Sequence, residues 1–232
     1  YTRTCSCAYQ NQTSLALIHM PEMEMWSYSQ FGLDAKQGDR IRRAGINFGA
    51  PGNRRDAGGT LWLEHPHVGD GNAPQLGVEG IGKDVAWFRR HSSQINDAGK
   101  SPPWIAASGL IGEGEIVITP SLRRPLLLKG SKKPGDEKAT QEPLLKIDYP
   151  PLPHTVRLHF SEPDDLPPGS RIFNVMLQGK TVLENFDPAK EGGSVVREFT
   201  DVIIGANLRL TLKSAPGSKA QPVLCGLEFV AE

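Results

Sequence analysis

One short stretch, "HPHVGDGN", gathers four side chains able to bind a metal ion: His65, His67, Asp70 and Asn72. A His-x-His pair can hold zinc when further ligands complete the tetrahedron. No clear third ligand accompanies the pair, so an exposed loop is the stronger interpretation and no cofactor is expected. A structural calcium ion bound by Asp70, or by Asp164 and Asp165 in a second loop, is a weaker alternative, because neither spacing is that of an EF-hand.

Groups arranged for catalysis are not evident. The glycine-rich stretch "SGLIGEGEI" has neither the dinucleotide pattern GxGxxG nor the P-loop pattern GxxxxGK[ST]. No GxSxG nucleophile elbow is present, and Ser108 has no identified His and Asp partners. Glu113 and Glu115 lie two residues apart on a predicted strand, which gives no acid and base pair without a cleft. We therefore expect this chain to be non-catalytic.

The three cysteines add no redox or haem chemistry. Cys5 and Cys7 are two residues apart, a separation at which a mutual disulfide seldom forms. No CxxCH haem motif is present. Cys225 is spaced by two residues from both Val223 and Leu227, so it is predicted to share their strand face as a buried, inert thiol.

Composition places the chain among ordinary globular proteins and excludes some partners. Its 232 residues carry 26 Lys and Arg against 26 Asp and Glu, so no overall field attracts nucleic acid or an anionic membrane. No apolar run approaches the roughly 20 residues of a membrane-spanning helix. The chain starts at Tyr1 without a signal-peptide pattern, so a mature product or a piece of a longer protein is expected.

The elements that must position these side chains are strands. The 25 glycines and 19 prolines, several of them in Pro-Pro pairs, disfavour long helices. Apolar residues alternate with period two in 43–48, 155–161, 173–177, 208–212 and 223–229. Further short strands are predicted at 60–64, 116–119, 182–186 and 195–200. Gln178-Gly179 supplies the positive φ that a two-residue hairpin turn requires. Short strands at regular spacing predict an all-β sandwich or jelly roll.

Two segments are predicted to be loops, and one N-terminal segment is predicted to contain a strand. Residues 65–84 are rich in Gly, Pro and Asp and are expected to form a long loop. The charged run "KGSKKPGDEKATQE" around 129–142 is expected to be an exposed, mobile loop. Residues 1–30 are expected to be irregular, with one short strand near 15–19.

The order "HTVRLHFSE", "RIFNVMLQGKTVLENFD", "VVREFT", "NLRLTLKS", "PVLCGLEFV" resembles the malectin and malectin-like domain family. These elements cover residues 154–231, and a looser likeness in "RAGINFGAPGNRRDAGGTLWLEH" extends the resemblance to about residue 40. It implies a jelly-roll β-sandwich of the galactose-binding kind over residues 40–232. It also implies carbohydrate binding, with a glycan or polysaccharide as the partner.

The N-terminal stretch "YTRTCSCAYQNQTSLALIHMPEMEMW" resembles the segment after the last blade of bacterial quinoprotein-like (PQQ-type) β-propeller proteins. Residues 1–39 are accordingly expected to be an extension or linker from a larger protein. The resemblance implies a β-propeller of the same polypeptide as a second partner. The repeated blades themselves are absent, so quinone chemistry is not assigned to these residues.

The sugar site of the malectin family is only partly retained. Malectin holds a disaccharide with aromatic rings from loops at one edge and with an Asp before the last strand. Trp62 matches one ring, whereas residues 163–166 have no ring and residues 220 and 221 have no carboxylate. Indole faces stack on sugar rings, and arginines can pair with acidic sugars. The candidate carbohydrate-binding residues, with Trp62 ranked first, are Trp62, Glu64, Trp87, Arg89, Arg90, His91, Asp164 and Asp165.

Three functions remain open. The first is a non-catalytic carbohydrate-binding module in the C-terminal part of a larger extracytoplasmic protein, whether periplasmic, cell-surface or secreted. The alternative is a structural or interaction module that packs on a propeller or another partner and has lost its sugar site. The third is a domain that contributes residues to a quinoprotein active site.

Overall fold

The structure is a computed structural model that describes most of the chain from residue 40 onward and two short strands before it. The described residues are 16–20, 23–27, 40–67, 75–82, 84–95, 101–123 and 149–232. The predicted loop at 129–142 and most of the predicted extension at 1–39 lie outside the described residues. The division into an extension and one domain therefore stays a prediction.

The described residues form sixteen strands and very little helix. The first eight strands are β1 (Ala16–Met20), β2 (Met23–Ser27), β3 (Arg43–Phe48), β4 (Arg54–Arg55), β5 (Leu61–His65), β6 (Gln75–Glu79), β7 (Ala86–Arg89) and β8 (Ser108–Ile111). The other eight are β9 (Gly114–Arg123), β10 (Leu152–Ser161), β11 (Phe173–Leu177), β12 (Lys180–Phe186), β13 (Ser194–Ile204), β14 (Leu208–Ser214), β15 (Val223–Leu224) and β16 (Gly226–Ala231). The helical elements are α1 (Pro103–Ala106) and the 3-10 helices Ser92–Gln94 and Pro188–Glu191.

Two large sheets carry the fold. The six-stranded sheet has the order β13-β10-β16-β3-β5-β4, and the five-stranded sheet has the order β12-β11-β14-β9-β6. β3 and β5 pair in parallel, while the pairings on either side of them are antiparallel. Two smaller sheets, β15-β8-β7 and β1-β2, complete the described structure.

The core lies between the two large sheets. Val156, Leu158 and Phe160 of β10 are fully buried and alternate with half-buried or polar neighbours, as a strand with one face on the core requires. Val175 and Leu210 come from the five-stranded sheet and join the same hydrophobic cluster. One continuous core between two sheets makes the chain an all-β sandwich, and this confirms the predicted fold class.

The turn between β11 and β12 has the predicted geometry. Gln178 and Gly179 have φ of 50° and 78°, so both residues of the two-residue turn lie in the left-handed region. The Gln178 side chain offsets the strain of this conformation by donating hydrogen bonds to the carbonyls of Ile203 (2.9 Å) and Asn207 (3.1 Å).

The prediction of one long loop over residues 65–84 was wrong in part. Strand β6 lies inside this range and pairs antiparallel with β9 at the edge of the five-stranded sheet. Leu76 is buried and Val78 packs against the core. Pairing with β9 stabilises this strand. A short alternation of apolar residues flanked by glycines does not reveal such a partner in the sequence.

A second, smaller apolar cluster lies on the outer face of the six-stranded sheet. Residues 101–107, here called the outer segment, pack over this face and bury Ile105 against Trp62 and Cys225. The Oγ atom of Ser101 lies 2.9 Å from Nδ1 of His159 on β10, which fixes one end of the segment. This face of the sheet is therefore covered by the chain itself.

Cys225 is buried, as predicted, but on a different face. Burial raises the pKa of its thiol to about 12, so the thiol is unreactive at neutral pH. Val223 and Leu227 face the main core, whereas Cys225 packs in the outer cluster. The chain passes from β15 to β16 at this residue, so the alternation does not continue through it.

Candidate functional site

Strand β7 lies across one end of the six-stranded sheet, and its side chains reach the ends of three strands. The Trp87 ring centroid is 6.0 Å from that of His65, the last residue of β5. Arg89 donates from Nε to the carbonyl of Gly49, which follows β3. The next residue, Arg90, donates from Nη2 to Ser161 Oγ at the end of β10 (3.1 Å). We call this end of the sandwich the rim.

The two sides of β7 have different surroundings because successive side chains of a strand point to opposite faces. Trp87 and Arg89 share one face and are exposed. Phe88 packs closely over Gly109, where an added Cβ would stand 2.5 Å from the Phe88 ring. The guanidinium carbon of Arg90 lies 5.8 Å from the Phe88 ring centroid, on the second face. The rim therefore presents two separate surfaces.

On the second face, a groove of about 320 Å³ opens between β7 and the loops after β10 and β12. We call it the Arg90 groove. The residues that line it are Arg90, Gln94, Ile95, Ser161, Glu162, Asp165, Leu166, Pro168, Ala189, Gly192, Gly193 and Ser194. Its walls combine apolar side chains with charged and amide groups, a composition typical of small-ligand sites.

Two polar atoms in the wall of the Arg90 groove lack a hydrogen-bond partner among the described residues. They are Nε of Arg90 and Oγ of Ser194, both shielded from solvent. Most buried polar atoms in folded proteins are paired, and an unpaired one is often completed by water or a ligand. Ser194 as a whole is 5% exposed, so its hydroxyl belongs to the built wall of the groove and not to a mobile surface.

The loop that borders the groove is held by a buried arginine. Arg171 is 1% exposed and donates from Nε to Glu162 Oε2 (2.9 Å) and from Nη2 to Asp164 Oδ2 (2.6 Å). Its Nη1 donates to the carbonyl of Gln221. These bonds tie residues 162–164 to Arg171 and, through it, to the backbone at Gln221. Asp165, the next residue, lines the groove.

On the first face, Trp87, Arg89 and His65 form a small surface that we call the Trp87 shelf. Trp87 is 39% exposed, and the other large exposed hydrophobic residue among the described ones is Ile203. Burial, together with the nearby His67, lowers the pKa of His65 to about 4, so the ring beside Trp87 is neutral at pH 7. Arg89 is exposed and supplies the positive charge of the shelf.

Trp62, the first-ranked candidate for sugar stacking, is 2% exposed. Its ring lies over Gly45, where an added Cβ would be 2.3 Å from the indole, and the outer segment covers it from the other side. The indole N–H donates to Asp56 Oδ2 (2.9 Å), which satisfies its one polar group. The ring has no free face, so the stacking role expected for Trp62 does not fit this arrangement.

Three other candidates serve local structure. Glu64 is buried, and its Oε1 lies 2.8 Å from Nδ1 of His67. His91 is exposed, and its Nδ1 accepts a hydrogen bond from the Ser93 N–H (3.2 Å) at the start of a 3-10 helix. Asp164 is paired with Arg171, as described above. Of the candidates, the structure thus brings Trp87 and Arg89 together at one surface, and Arg90 and Asp165 at another.

Gln94 and Ser194 also line the groove, although no motif in the sequence pointed to them. Within the described residues, no cluster of three or more His, Cys, Asp and Glu side chains is arranged to hold a metal ion. Asp70 and Asn72 lie outside the described part of the chain. In that same part, no helix is long and apolar enough to cross a membrane.

A comparison with family models finds the Malectin-like domain at residues 127–231. This stretch resembles malectin-like domains. The malectin-like stretch includes the groove loops after β10 and β12, while β7 precedes it. No curated protein matches the chain.

Solved structures share the fold at low sequence identity. The plant receptor-like kinase FER is 16% identical, with a TM-score of 0.53 over 82% of this chain and 42% of that chain. The ANXUR2 extracellular domain from Arabidopsis thaliana is 15% identical, with a TM-score of 0.53 over 82% and 41%. The Bacteroides uniformis β-glucuronidase 2 is 11% identical, with a TM-score of 0.50 over 82% and 18%. This chain spans less than half the length of each of them.

Proposed function

We propose that this chain is a non-catalytic carbohydrate-binding module of a larger extracytoplasmic protein and that the Arg90 groove is its binding site. The observation that carries the proposal is the groove itself, with its mixed polar and apolar lining. A sugar presents hydroxyl groups that donate and accept hydrogen bonds together with apolar C–H faces, so it matches both parts of this lining.

The comparisons support a binding module as the class of protein and a location outside the cytoplasm. The Malectin-like domain model matches residues 127–231. Two of the matched structures are described as an extracellular domain and an ectodomain. The likeness to a β-glucuronidase covers 18% of that enzyme and concerns the fold alone, so it transfers no catalytic role. A module that binds but does not cleave requires no acid and base pair in the groove.

The experiment is a glycan array followed by calorimetric titration of the glycans that bind. Asp165→Asn replaces a carboxylate of the groove by a neutral amide, and Gln94→Ala removes an amide. Both residues are exposed, so the fold should persist. Asn tolerates the φ of 50° at position 165. Each change should weaken binding by about two- to tenfold, as expected for one lost hydrogen bond.

Glu184→Gln is the matched control, because Glu184 is exposed on β12, an edge strand of the five-stranded sheet, outside the groove lining. It should bind as the wild type does. If the Asp165 and Gln94 variants bind as well as the Glu184 variant, the groove is not the site. If no glycan binds the wild-type chain, the proposed function is wrong.

A further inference from the structure

Trp87 and Arg89 occupy one face of β7 at a spacing suited to a single sugar ring. They are two residues apart, so their Cα atoms are separated by about 6.6 Å along the strand. Trp87 is 39% exposed and rests against the neutral ring of His65. Its indole therefore offers a supported flat surface with a guanidinium at one end.

The guanidinium of Arg89 is fixed in place but not neutralised. Its Nε donates to the Gly49 carbonyl, while its two Nη groups make no hydrogen bond or ion pair with any described residue. The carboxylate of Glu64 on β5 is buried and lies against His67. The Nε contact orients the outer edge of the guanidinium towards solvent, where it can pair with two oxygens of one anionic group.

We propose that the Trp87 shelf binds a pyranose unit bearing an anionic substituent, a carboxylate or a sulfate ester. The apolar C–H face of the ring stacks on Trp87, and the anionic group pairs with the Nη atoms of Arg89. A neutral sugar would use only the indole. The shelf is a second subsite beside the Arg90 groove, and the proposal rests on the proposed glycan-binding function while naming the ligand class more narrowly.

The test compares ligands that differ only in charge. Calorimetric titrations use trigalacturonic acid and its trimethyl ester, and a sulfated carrageenan oligosaccharide and its desulfated form. The wild-type chain should bind at least one acidic ligand about tenfold more tightly than its neutral counterpart, as one charge-assisted pair predicts. The pair that shows the preference identifies the carboxylate or the sulfate as the natural anion. Raising the salt concentration should reduce the difference.

Four variants assign the effect to the shelf. Arg89→Gln should remove the preference for the acidic ligand, whereas Lys213→Gln removes an equal charge from an exposed position on β14 and should leave it intact. Trp87→Ala should weaken the binding of both ligands of the preferred pair by about threefold or more. Ile203→Ala, at the other exposed large hydrophobic residue, should weaken neither.

The outcomes separate this proposal from the previous one. Equal binding of the acidic and neutral ligands in both pairs overturns the shelf, and so does an Arg89 variant that behaves like the Lys213 variant. If glycan binding still depends on Asp165 and Gln94 in that case, the groove stands alone. If the acid preference needs Arg89 while Asp165→Asn and Gln94→Ala leave the affinity for every glycan unchanged, the shelf is supported and the groove is overturned.

Discussion

Replacing the buried Arg171 by Met should destabilise the sandwich by about 3–5 kcal/mol, because the change leaves the carboxylate of Glu162 buried without its counter-charge. The Glu162 side chain is 5% exposed and accepts two contacts from Arg171, at 2.9 and 3.3 Å. Among the described residues, the Glu162 carboxylate then keeps only the bond from the Asp164 N–H, at 3.0 Å. Met retains an apolar side chain in the same space, so the loss reports charge and hydrogen bonding more than volume.

Urea unfolding followed by tryptophan fluorescence gives the free energy of unfolding for each variant. The double variant Arg171→Met with Glu162→Gln should recover part of the loss, since it no longer buries a carboxylate. Arg209→Met is the matched control: its ion pair with Glu115 has both side chains about half exposed, so it should cost about 1 kcal/mol or less. The reasoning is refuted if Arg171→Met costs no more than this control.

Three smaller changes test the outer cluster and the buried titratable groups. Gly45→Ala should lower the free energy of unfolding by about 1–3 kcal/mol in the same titration, because the added Cβ would lie 2.3 Å from the Trp62 ring. Gly82→Ala is the control and should be close to neutral, because the nearest atom to its added Cβ is 3.8 Å away. Burial lowers the pKa of His159 to about 3, below its unfolded value of about 6.5, so stability present above pH 6.5 should be lost as the pH falls towards 3. His159→Gln should flatten that slope by about one proton in urea titrations between pH 4 and 7, and an unchanged slope would contradict the assignment. Cys225, with its pKa near 12, should resist iodoacetamide at pH 8 in the native chain and react in urea, and peptide mapping would detect early labelling.

Alternation of apolar residues was enough to predict the sandwich because each strand of a two-layer fold has one buried face. The segment 155–161 shows this directly, since Val156, Leu158 and Phe160 are all fully buried in β10. The hairpin turn was predictable for a different reason: a two-residue turn requires positive φ, and Gly179 adopts it at no steric cost. Both signals are local, so they can be recognised in the sequence without knowledge of the tertiary structure.

The environment of Trp62 was not predictable in the same way. Whether its ring is open or buried depends on the outer segment at 101–107, which lies about 40 residues further along the chain. The two small residues that admit the indole, Gly45 and Gly226, lie on two other strands. By contrast, Trp87 and Arg89 share a face through spacing alone, and the sequence contained that information.

The positions of the exposed apolar residues favour a small ligand over a docked protein as the partner of the rim. Ile203 pairs with Pro153 at the start of β10, whereas the rim lies at Ser161, where that strand ends. Eight residues of extended chain place the two ends about 26 Å apart. Trp87 and Ile203, the two large exposed hydrophobic side chains among the described residues, therefore do not belong to one patch. A stable protein interface needs a contiguous apolar centre. A single exposed indole beside the Nη groups of Arg89 instead suits the size and charge of the proposed ligand, one sugar ring with an anionic substituent.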